Sequence, residues 1–409
     1  MALIVQKFGG TSVANIERIR SVAKKVKEEL DSGNQVVVVV SAMAGTTDQL
    51  VNWVKEVSDI ENNEQGAEYD SIVASGEQVT SGLLALTLQS MSIKAQSWLG
   101  WQIPIKTDNV HSKARIKNID VKLLKEALKN GEVVVVPGFQ GVTDYGRIST
   151  LGRGGSDTSA VAIAAALKAD RCDIYTDVDG VYTSDPRRVP EARKLNKVAY
   201  EEVLEMASLG AKVLHTRSVE MAMKHHVPTQ VRSSFSDAPG TELVEEEEVL
   251  ERRLITGIAY SRNDAQVTLV GVKNAPGVAA AIFGPLTDAE INVDMIVQNV
   301  SESGKQTDMT FTVQENELKK AVSELEKVKK KIGYKSIITA DNVAKVSVIG
   351  VGMRSHSGLA QMMFKTLSDE DINILVISTS EIKISVLIEE QHLEKALRAL
   401  HTAYGLDGK

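Results

Sequence analysis

The feature that most constrains the fold of this 409-residue chain is an internal repeat in its C-terminal part. Residues 267–272 (VTLVGV) match residues 346–351 (VSVIGV). Six further matches follow in the same order, Gly277, Phe283, Leu286, Asp288, Ile291 and Asn292 with Gly358, Phe364, Leu367, Asp369, Ile372 and Asn373. Each copy follows a β-α-β-β-α-β order, which is the ferredoxin-like unit. Two copies with a period of about 80 residues do not make a solenoid, so we predict a tandem pair of small regulatory modules.

The region up to about Pro239 has a different pattern, in which short apolar runs alternate with helical segments. Residues 36–40 are five consecutive valines, and residues 133–136 are four more. Runs that are apolar on both faces are typical of central, mostly parallel strands covered by helices. Between such runs, apolar residues recur at helical spacing, as in Ile16, Ile19, Val22, Val26 and Leu30. This region therefore predicts an α/β domain with a mostly parallel sheet between helices.

A turn at residues 237–240 and an acidic block at residues 245–248 separate the two regions. We predict a catalytic domain over residues 1–240 and a linker, or start of the regulatory region, over 241–263. The two repeat modules are expected at residues 264–340 and 341–409.

Charge and composition exclude several classes of protein. A net charge of −7 argues against a nucleic-acid-binding protein, and no apolar run has the roughly 20 residues of a membrane span. A single cysteine, Cys172, cannot form an internal disulfide. The N-terminus lacks the layout of a signal peptide, and His225-His226 has no third ligand for a metal. We expect a cytoplasmic protein that binds neither nucleic acid nor membrane and holds no metal on its own residues.

Two glycine-rich segments lie where strands meet helices, at residues 7–12 (KFGGTS) and 152–157 (GRGGSD). Backbone N–H groups beside a helix N-terminus form an anion site. The second segment is neither a dinucleotide fingerprint, because Asp157 stands where Gly or Ala is required, nor a Walker A loop. Two such loops, with Lys7 and Arg153 beside their glycines, predict one nucleotide bound across the end of the sheet.

Other motifs allow two interpretations on their own. Residues 41–48 could bind a small polar ligand or form an ordinary loop. Glu77 could be a helix-dipole partner or could hold a substrate ammonium group. Residues 176–187 could bind a nucleotide or form turns, and Lys212 could reach a phosphate or lie on the surface.

Taken in order, KFGGTS, SGE, GRGGSD and TDVDGVYTSDPR resemble the motifs of the aspartokinases, and the resemblance extends over essentially the whole chain. It implies an amino-acid-kinase fold followed by two ACT domains. It also implies transfer of the ATP γ-phosphoryl group to the β-carboxylate of L-aspartate, giving 4-phospho-L-aspartate. That reaction is the first step towards lysine, threonine, methionine and diaminopimelate. Mg²⁺ is expected to be held mainly through the ATP phosphates.

The resemblance implies roles for individual residues. Lys7 and Asp157 are the expected catalytic residues, with Asp157 orienting Lys7. The expected aspartate-binding residues are Ser41, Thr47, Glu77, Phe139 and Arg153. The expected ATP-binding residues are Lys7, Phe8, Gly9, Gly10, Gly154, Gly155, Ser156, Thr176, Asp177, Tyr182, Asp185, Arg187 and Lys212. The attacking carboxylate is already ionised at neutral pH, so catalysis is expected to depend on positioning and electrostatic stabilisation rather than on a general base.

The ACT pair implies feedback inhibition by lysine, threonine or both, and assembly of a homo- or hetero-oligomer through these modules. The candidate effector contacts, which could also be plain turn and strand residues, are Asn274, Ala275, Pro276, Gly277, Asn292, Val293, Asp294, Gln298, Ser355, His356, Ser380 and Glu381. Relatives regulated by lysine plus threonine often carry Asp at the position of Asn274, so the identity of the effector stays open.

Two other functions are compatible with parts of the sequence. A kinase of the same superfamily acting on acetylglutamate, carbamate or a nucleoside monophosphate would share the phosphate loops but not the ACT pair. A non-enzymatic amino-acid sensor would keep the ACT pair but not the combination of Lys7, Glu77, Arg153 and Asp157.

Overall fold

The computed structural model describes residues 1–58, 66–209, 213–249, 254–301, 304–356 and 358–407. The chain forms two compact units. The first consists of Met1–Val181, Lys194–Ser208 and Lys212–Glu251, and the second of Tyr182–Arg193, Leu209–Ala211 and Arg252–Lys409.

The first unit contains twelve strands and eight helices among its described residues. The strands are β1 (Leu3–Phe8), β2 (Gln35–Val40), β3 (Ala95–Ser97), β4 (Ile105–Thr107), β5 (Ile116–Ile119), β6 (Val133–Pro137), β7 (Gln140–Val142), β8 (Ile148–Thr150), β9 (Arg171–Thr176), β10 (Lys197–Ala199), β11 (Thr229–Ser233) and β12 (Thr241–Val244). The helices are α1 (Ile16–Asp31), α2 (Thr46–Val57), α3 (Gly66–Val73), α4 (Ser75–Ser90), α5 (Lys122–Lys129), α6 (Gly155–Leu167), α7 (Tyr200–Ser208) and α8 (Thr216–Lys224).

Eight strands form the central sheet of this unit, in the order β10-β12-β11-β9-β1-β2-β6-β3. All neighbouring pairs from β11 to β3 are parallel. β12 pairs antiparallel with β11, and β10 pairs parallel with β12. The valines of β2 and β6 are buried, which confirms the predicted central, parallel strands. A second sheet has the order β5-β4-β7-β8.

Because the strands are parallel, the C-terminal ends of β1, β2, β6, β9 and β11 lie at one edge of the sheet, here called the carboxyl edge. Open α/β sheets bind their ligands at this edge. The loops that follow β1, β2 and β6 contain Gly9, Gly10, Ser41 and Phe139.

The second unit contains the repeat. Its strands are β13 (Gly257–Ser261), β14 (Asp264–Lys273), β15 (Asp294–Val300), β16 (Gln306–Gln314), β17 (Ser336–Ala340), β18 (Val343–Ile349), β19 (Val376–Thr379) and β20 (Lys383–Glu389). Its helices are α9 (Val278–Asp288), α10 (Leu318–Lys327), α11 (Lys329–Ile332), α12 (Leu359–Asp369) and α13 (Leu393–Ala403). The two sheets have the orders β15-β16-β14-β17 and β13-β18-β20-β19.

The first repeat has the predicted β-α-β-β-α-β order, whereas the second departs from it. After α13 the described chain adds no further strand, and the place that β17 takes in the first sheet is filled by β13. β13 lies within residues 241–263, which the sequence predicted as a linker or the start of the regulatory region. It pairs antiparallel with β18 from Gly257 to Ser261. The first module is therefore inserted into the chain of the second, which only long-range strand pairing could reveal.

An ion cluster of two buried residues, Lys345 and Asp264, and the more exposed Asp294 connects the two modules. The Nζ of Lys345, in β18, lies 2.8 Å from Asp294 Oδ2 and 3.6 Å from Asp264 Oδ1. Apolar residues of both modules also form a common cluster, Met295, Val343, Val376 and Leu387. The two sheets are therefore joined by both charge and apolar packing.

None of the helices in the described residues has the length and apolar character needed to cross a membrane.

Candidate active site

The first part of the candidate site is the end of β1, where Lys7 lies, together with the loop that follows the strand. The Lys7 side chain is 10% exposed, and its Nζ lies 2.6 Å from Asp157 Oδ1 at the start of α6. Gly10 approaches the backbone after β2 closely, since a Cβ there would lie 3.1 Å from the oxygen of Ala42. The adjacent Gly9 donates its N–H to the Tyr175 oxygen at 3.3 Å. The lysine ammonium therefore lies among small residues with a fixed carboxylate partner.

Phe8, a predicted nucleotide contact, contributes no exposed side chain. Its ring is fully buried and stacks on Tyr175 with 4.6 Å between the ring centroids. Only the backbone of Phe8 is available for contact with a nucleotide.

The second part is the glycine-rich loop before α6. Gly154 adopts φ +68°, a left-handed conformation in which glycine is favoured, and a Cβ there would overlap the His215 ring. The N–H groups of Gly155 and Thr158 donate to Gly152 and Gly154 oxygens at 3.0 Å. By helix geometry, the N–H groups of Ser156 and Asp157 have no acceptor within the helix. These amides and the helix dipole form an anion site.

Positive charge accumulates beside this loop. Arg153 is exposed, and Arg217 approaches from α8. Partial burial lowers the pKa of His215, and Arg217 and Arg153 lower it further, against the opposing effect of Asp157. The region is electrostatically suited to a polyanion.

Glu77 is the most unusual group of the site. It lies in the first turn of α4 and is 4% exposed. Its Oε1 accepts the Ala42 N–H at 3.0 Å, whereas its buried Oε2 has no hydrogen-bond partner among the described residues. Burial raises the pKa of Glu77 to about 7, although the hydrogen bond from Ala42 acts to lower it. An unpartnered buried carboxylate oxygen is suited to receive a cationic donor.

The remaining candidate aspartate-binding residues lie shortly after the ends of β2 and β6. Ser41 is half-buried and donates its N–H to the Phe8 oxygen at 3.0 Å. Thr47 is half-buried in the first turn of α2. Phe139 adopts φ +69°, a strained conformation for an aromatic residue that is found mostly at functional sites. Its N–H donates to Ser159 Oγ in α6 at 3.1 Å.

The predicted ATP-binding residues beyond the glycine loops are divided between the two units. Thr176 ends β9 and its hydroxyl donates to Asp177 Oδ1 at 3.1 Å. Tyr182, Asp185 and Arg187 belong to the second unit. Lys212 lies outside the described residues.

The candidate effector residues of the first module lie in the loop after β14 and at the start of β15. Asn274 donates its side-chain amide to the Gly304 oxygen at 2.9 Å. Gly277, with φ +87°, precedes α9. The other first-module candidates are Ala275 and Pro276 before that glycine, Asn292 and Val293 before β15, and Asp294 and Gln298 within it.

Asp294 is held by Lys345 of the second module at 2.8 Å. Although partial burial acts to raise the pKa of Asp294, the hydrogen bond from Lys345 lowers it.

In the second module, the ring of His356 bonds to the Gly352 oxygen at 3.1 Å. Ser380 donates its N–H to the Lys383 oxygen at 2.8 Å, and Glu381 follows it in the turn before β20. The side chain of Ser355 lies outside the described part of the chain.

Sequence reasoning missed two residues that hold the segment immediately before the Gly152–Asp157 loop. The fully buried carboxylate of Asp70 accepts hydrogen bonds from His111 Nδ1 at 2.7 Å and Thr150 Oγ1 at 2.5 Å. Arg217 donates to the oxygens of Leu151 and Ala114. Their partners lie tens of residues away in the chain, so no local pattern could have indicated them.

Comparison with known proteins decides the family. Residues 2–233 match the amino acid kinase family, and residues 266–330 and 346–404 each match an ACT domain. Over 408 residues the chain is 55% identical to the aspartate kinase of Pseudomonas putida, covering 100% of this chain and 98% of that relative. The chain belongs to the aspartate kinase family. It is thus a phosphotransferase with aspartate kinase activity that uses ATP.

Two solved structures of Escherichia coli aspartokinase III are 27% identical in sequence to this kinase. Each alignment covers 98% of this chain and 99% of the aspartokinase III chain. The complex with aspartate and ADP, described as the R-state, has a TM-score of 0.80. The complex with lysine and aspartate, described as the T-state, has a TM-score of 0.77. These comparisons confirm the predicted fold class.

Proposed function

We propose that this kinase transfers the γ-phosphoryl group of ATP to the β-carboxylate of L-aspartate, giving 4-phospho-L-aspartate and ADP. The observation that carries the proposal is the Lys7–Asp157 pair, which joins two glycine-rich loops at the carboxyl edge. The proposed role is the first step of lysine, threonine, methionine and diaminopimelate biosynthesis.

The proposed chemistry needs no general base. A bond forms between a β-carboxylate oxygen of aspartate and the γ-phosphorus, and the bond from that phosphorus to the β,γ-bridging oxygen breaks, so that ADP leaves. The nucleophile is ionised at neutral pH. Lys7 and the amides of Gly9, Gly10 and residues 154–156 stabilise the charge on the transferred group. Asp157 holds the ammonium of Lys7 in place.

Recognition of aspartate is assigned to two opposite charges. The exposed guanidinium of Arg153 binds the α-carboxylate, for which its planar donors are suited. The unpartnered Oε2 of Glu77 accepts the α-ammonium group. Ser41, Thr47 and Phe139 shape the pocket around the substrate.

ATP is proposed to contact Thr176, Asp177, Tyr182, Asp185, Arg187 and Lys212 in addition to the glycine loops. The groups around the loops are mainly N–H donors and cations, and the Asp157 carboxylate already contacts Lys7. Such groups fit a Mg²⁺ ion whose ligands come mainly from ATP phosphates and water, because Mg²⁺ dehydrates reluctantly. The ion would supply further charge neutralisation on the phosphates.

Regulation by an end-product amino acid is supported by the two ACT domains and by the lysine complex of aspartokinase III. The proposed effector is lysine, threonine or both, bound at the Asn274–Gly277 loop and the start of β15, with the corresponding region of the second module. We also propose that these modules mediate oligomer assembly.

The first experiment is an ATP- and Mg²⁺-dependent acyl-hydroxamate assay. Hydroxylamine traps acyl phosphates, so aspartate should give a signal whereas glutamate and acetylglutamate should not. Repeating the assay with lysine, threonine and both together identifies the effector. A signal with acetylglutamate instead of aspartate would overturn the proposed substrate.

A further inference from the structure

The segment Tyr182–Arg193 carries part of the proposed ATP-binding motif and is built into the second unit. Thr183 is fully buried and accepts the Ile258 N–H on its backbone oxygen at 2.7 Å. Its Oγ1 lies 2.8 Å from Nε2 of the fully buried His401, in α13. Val189, which is 1% exposed, packs in the apolar core of the second ACT module. The conformation of this segment is thus fixed by the regulatory fold.

Within this segment, Asp185 holds Arg187. Asp185 Oδ1 accepts the backbone N–H and the Nε of Arg187, both at 3.0 Å, and Oδ2 accepts Nη2 at 3.0 Å. The Arg187 side chain is nevertheless 84% exposed, against 16% for Asp185. This geometry leaves most of the Arg187 side chain exposed, while its carboxylate partner is turned inwards.

Tyr260, in β13, completes this arrangement. Its hydroxyl donates to Asp185 Oδ2 at 3.0 Å and accepts Arg188 Nε at 2.8 Å. Arg188 is in turn bound to Glu394 at 2.6 Å, and its backbone oxygen accepts Arg398 Nε at 2.9 Å. Although partial burial acts to raise the pKa of Asp185, the hydrogen bonds from Arg187 and Tyr260 lower it. One tyrosine hydroxyl therefore links the second module to the Asp185–Arg187 pair.

We propose that Tyr260 is a positioning residue for ATP binding, because it orients Asp185, which holds the guanidinium of Arg187, the residue assigned above to the nucleotide. This inference rests on the proposed assignment of Arg187 to ATP binding. It changes the role of Asp185 from a direct nucleotide contact to a support for Arg187, because both of its oxygens are already occupied by protein donors.

The test is Tyr260→Phe, which removes only the hydroxyl. Loss of one hydrogen bond to an ionised partner should raise the KM for ATP and the Kd for ADP by about threefold to tenfold. The KM for aspartate and kcat should stay within about twofold. Tyr404→Phe is the matched control, because it also removes a tyrosine hydroxyl from the second module. That hydroxyl donates to the Leu359 oxygen at 2.7 Å.

A double-mutant cycle separates positioning from general destabilisation. If Tyr260 acts through Arg187, Tyr260→Phe should have no effect on ADP affinity in an Arg187→Ala background. An equal loss in both backgrounds, or the same loss in Tyr404→Phe, would overturn the inference.

The proposed function and this inference can fail separately. Unchanged ADP affinity in Arg187→Ala would refute the assignment of Arg187 to ATP. A weakened Arg187→Ala enzyme with an unaffected Tyr260→Phe enzyme would retain that assignment and refute the positioning role.

Discussion

At the residue scale, Lys7 is the group on which the proposed chemistry depends most. Lys7→Ala should lower kcat by about 10²–10³-fold, since it removes a preorganised cation from the developing charge. Steady-state kinetics with the hydroxamate assay measures the effect, and circular dichroism checks the fold. Lys27→Ala is the control, because Lys27 forms an exposed ion pair with Asp31 within α1. A folded Lys7→Ala enzyme with normal kcat would contradict the assignment.

Glu77 should give the reaction a pH dependence near neutrality. Burial raises its pKa to about 7 in the free enzyme, and only the carboxylate form attracts the α-ammonium group of aspartate. With saturating ATP, kcat/KM for aspartate should therefore rise with pH, reach half of its maximum near pH 7 and level off at higher pH. In Glu77→Gln this step should be absent and kcat/KM low throughout. A pH profile unchanged by the substitution would remove Glu77 from aspartate binding.

Glu77→Gln, which should lower kcat/KM, should at the same time make the folded protein more stable. The folded-state pKa of about 7 lies above the ordinary value of 4.5, so the protonated form is the one that folding favours. This contribution is complete below about pH 4.5 and is lost as the pH rises through 7. At pH 8, Glu77→Gln should raise the free energy of unfolding by about 3 kcal/mol. The gain should shrink on acidification, as denaturant titration at pH 5 and pH 8 would show.

At the element scale, the loop before α6 depends on a backbone conformation as well as on side chains. Gly154→Ala should combine the left-handed strain of about 1–2 kcal/mol with an overlap against the His215 ring. We expect the displaced amides to raise the KM for ATP and lower kcat, together with a lower Tm.

Gly131→Ala is the matched control for this loop. Gly131 also has a positive φ, +74°, but a Cβ there would meet nothing within 4 Å. Gly131→Ala should lower the Tm through backbone strain but leave the KM for ATP and kcat unchanged. Equal kinetics in the two variants would mean that the loop does not bind the phosphates.

At the scale of the whole molecule, inhibition must be reciprocal. If lysine or threonine raises the KM for aspartate through affinity, aspartate must weaken binding of that effector by the same factor. Titration calorimetry of the effector, with and without aspartate and ADP, measures both sides of this coupling. Strong inhibition without such weakening would mean that the effector acts on kcat rather than on affinity.

The sequence by itself determined the elements and the chemistry of the loops. Runs such as the valines of β2 and β6 fix buried parallel strands through their burial on both faces, and the glycines of residues 152–157 fix a helix N-terminus with free amides. These signals are local, because they depend on side-chain size, polarity and period within a few residues. The repeat likewise predicted two modules, and its first copy folds as expected.

Only the tertiary structure decided which distant residues support these local features. β13 completes the second module from a segment predicted as a linker or the start of the regulatory region. Asp70 and Arg217 hold the chain immediately before the glycine-rich loop, from elements without a motif. The unpartnered oxygen of Glu77 and the hydroxyl bridge of Tyr260 likewise exist only in the folded chain. Each depends on burial and on partners tens of residues away, so the pairing is set by packing of the whole unit rather than by the sequence around each residue.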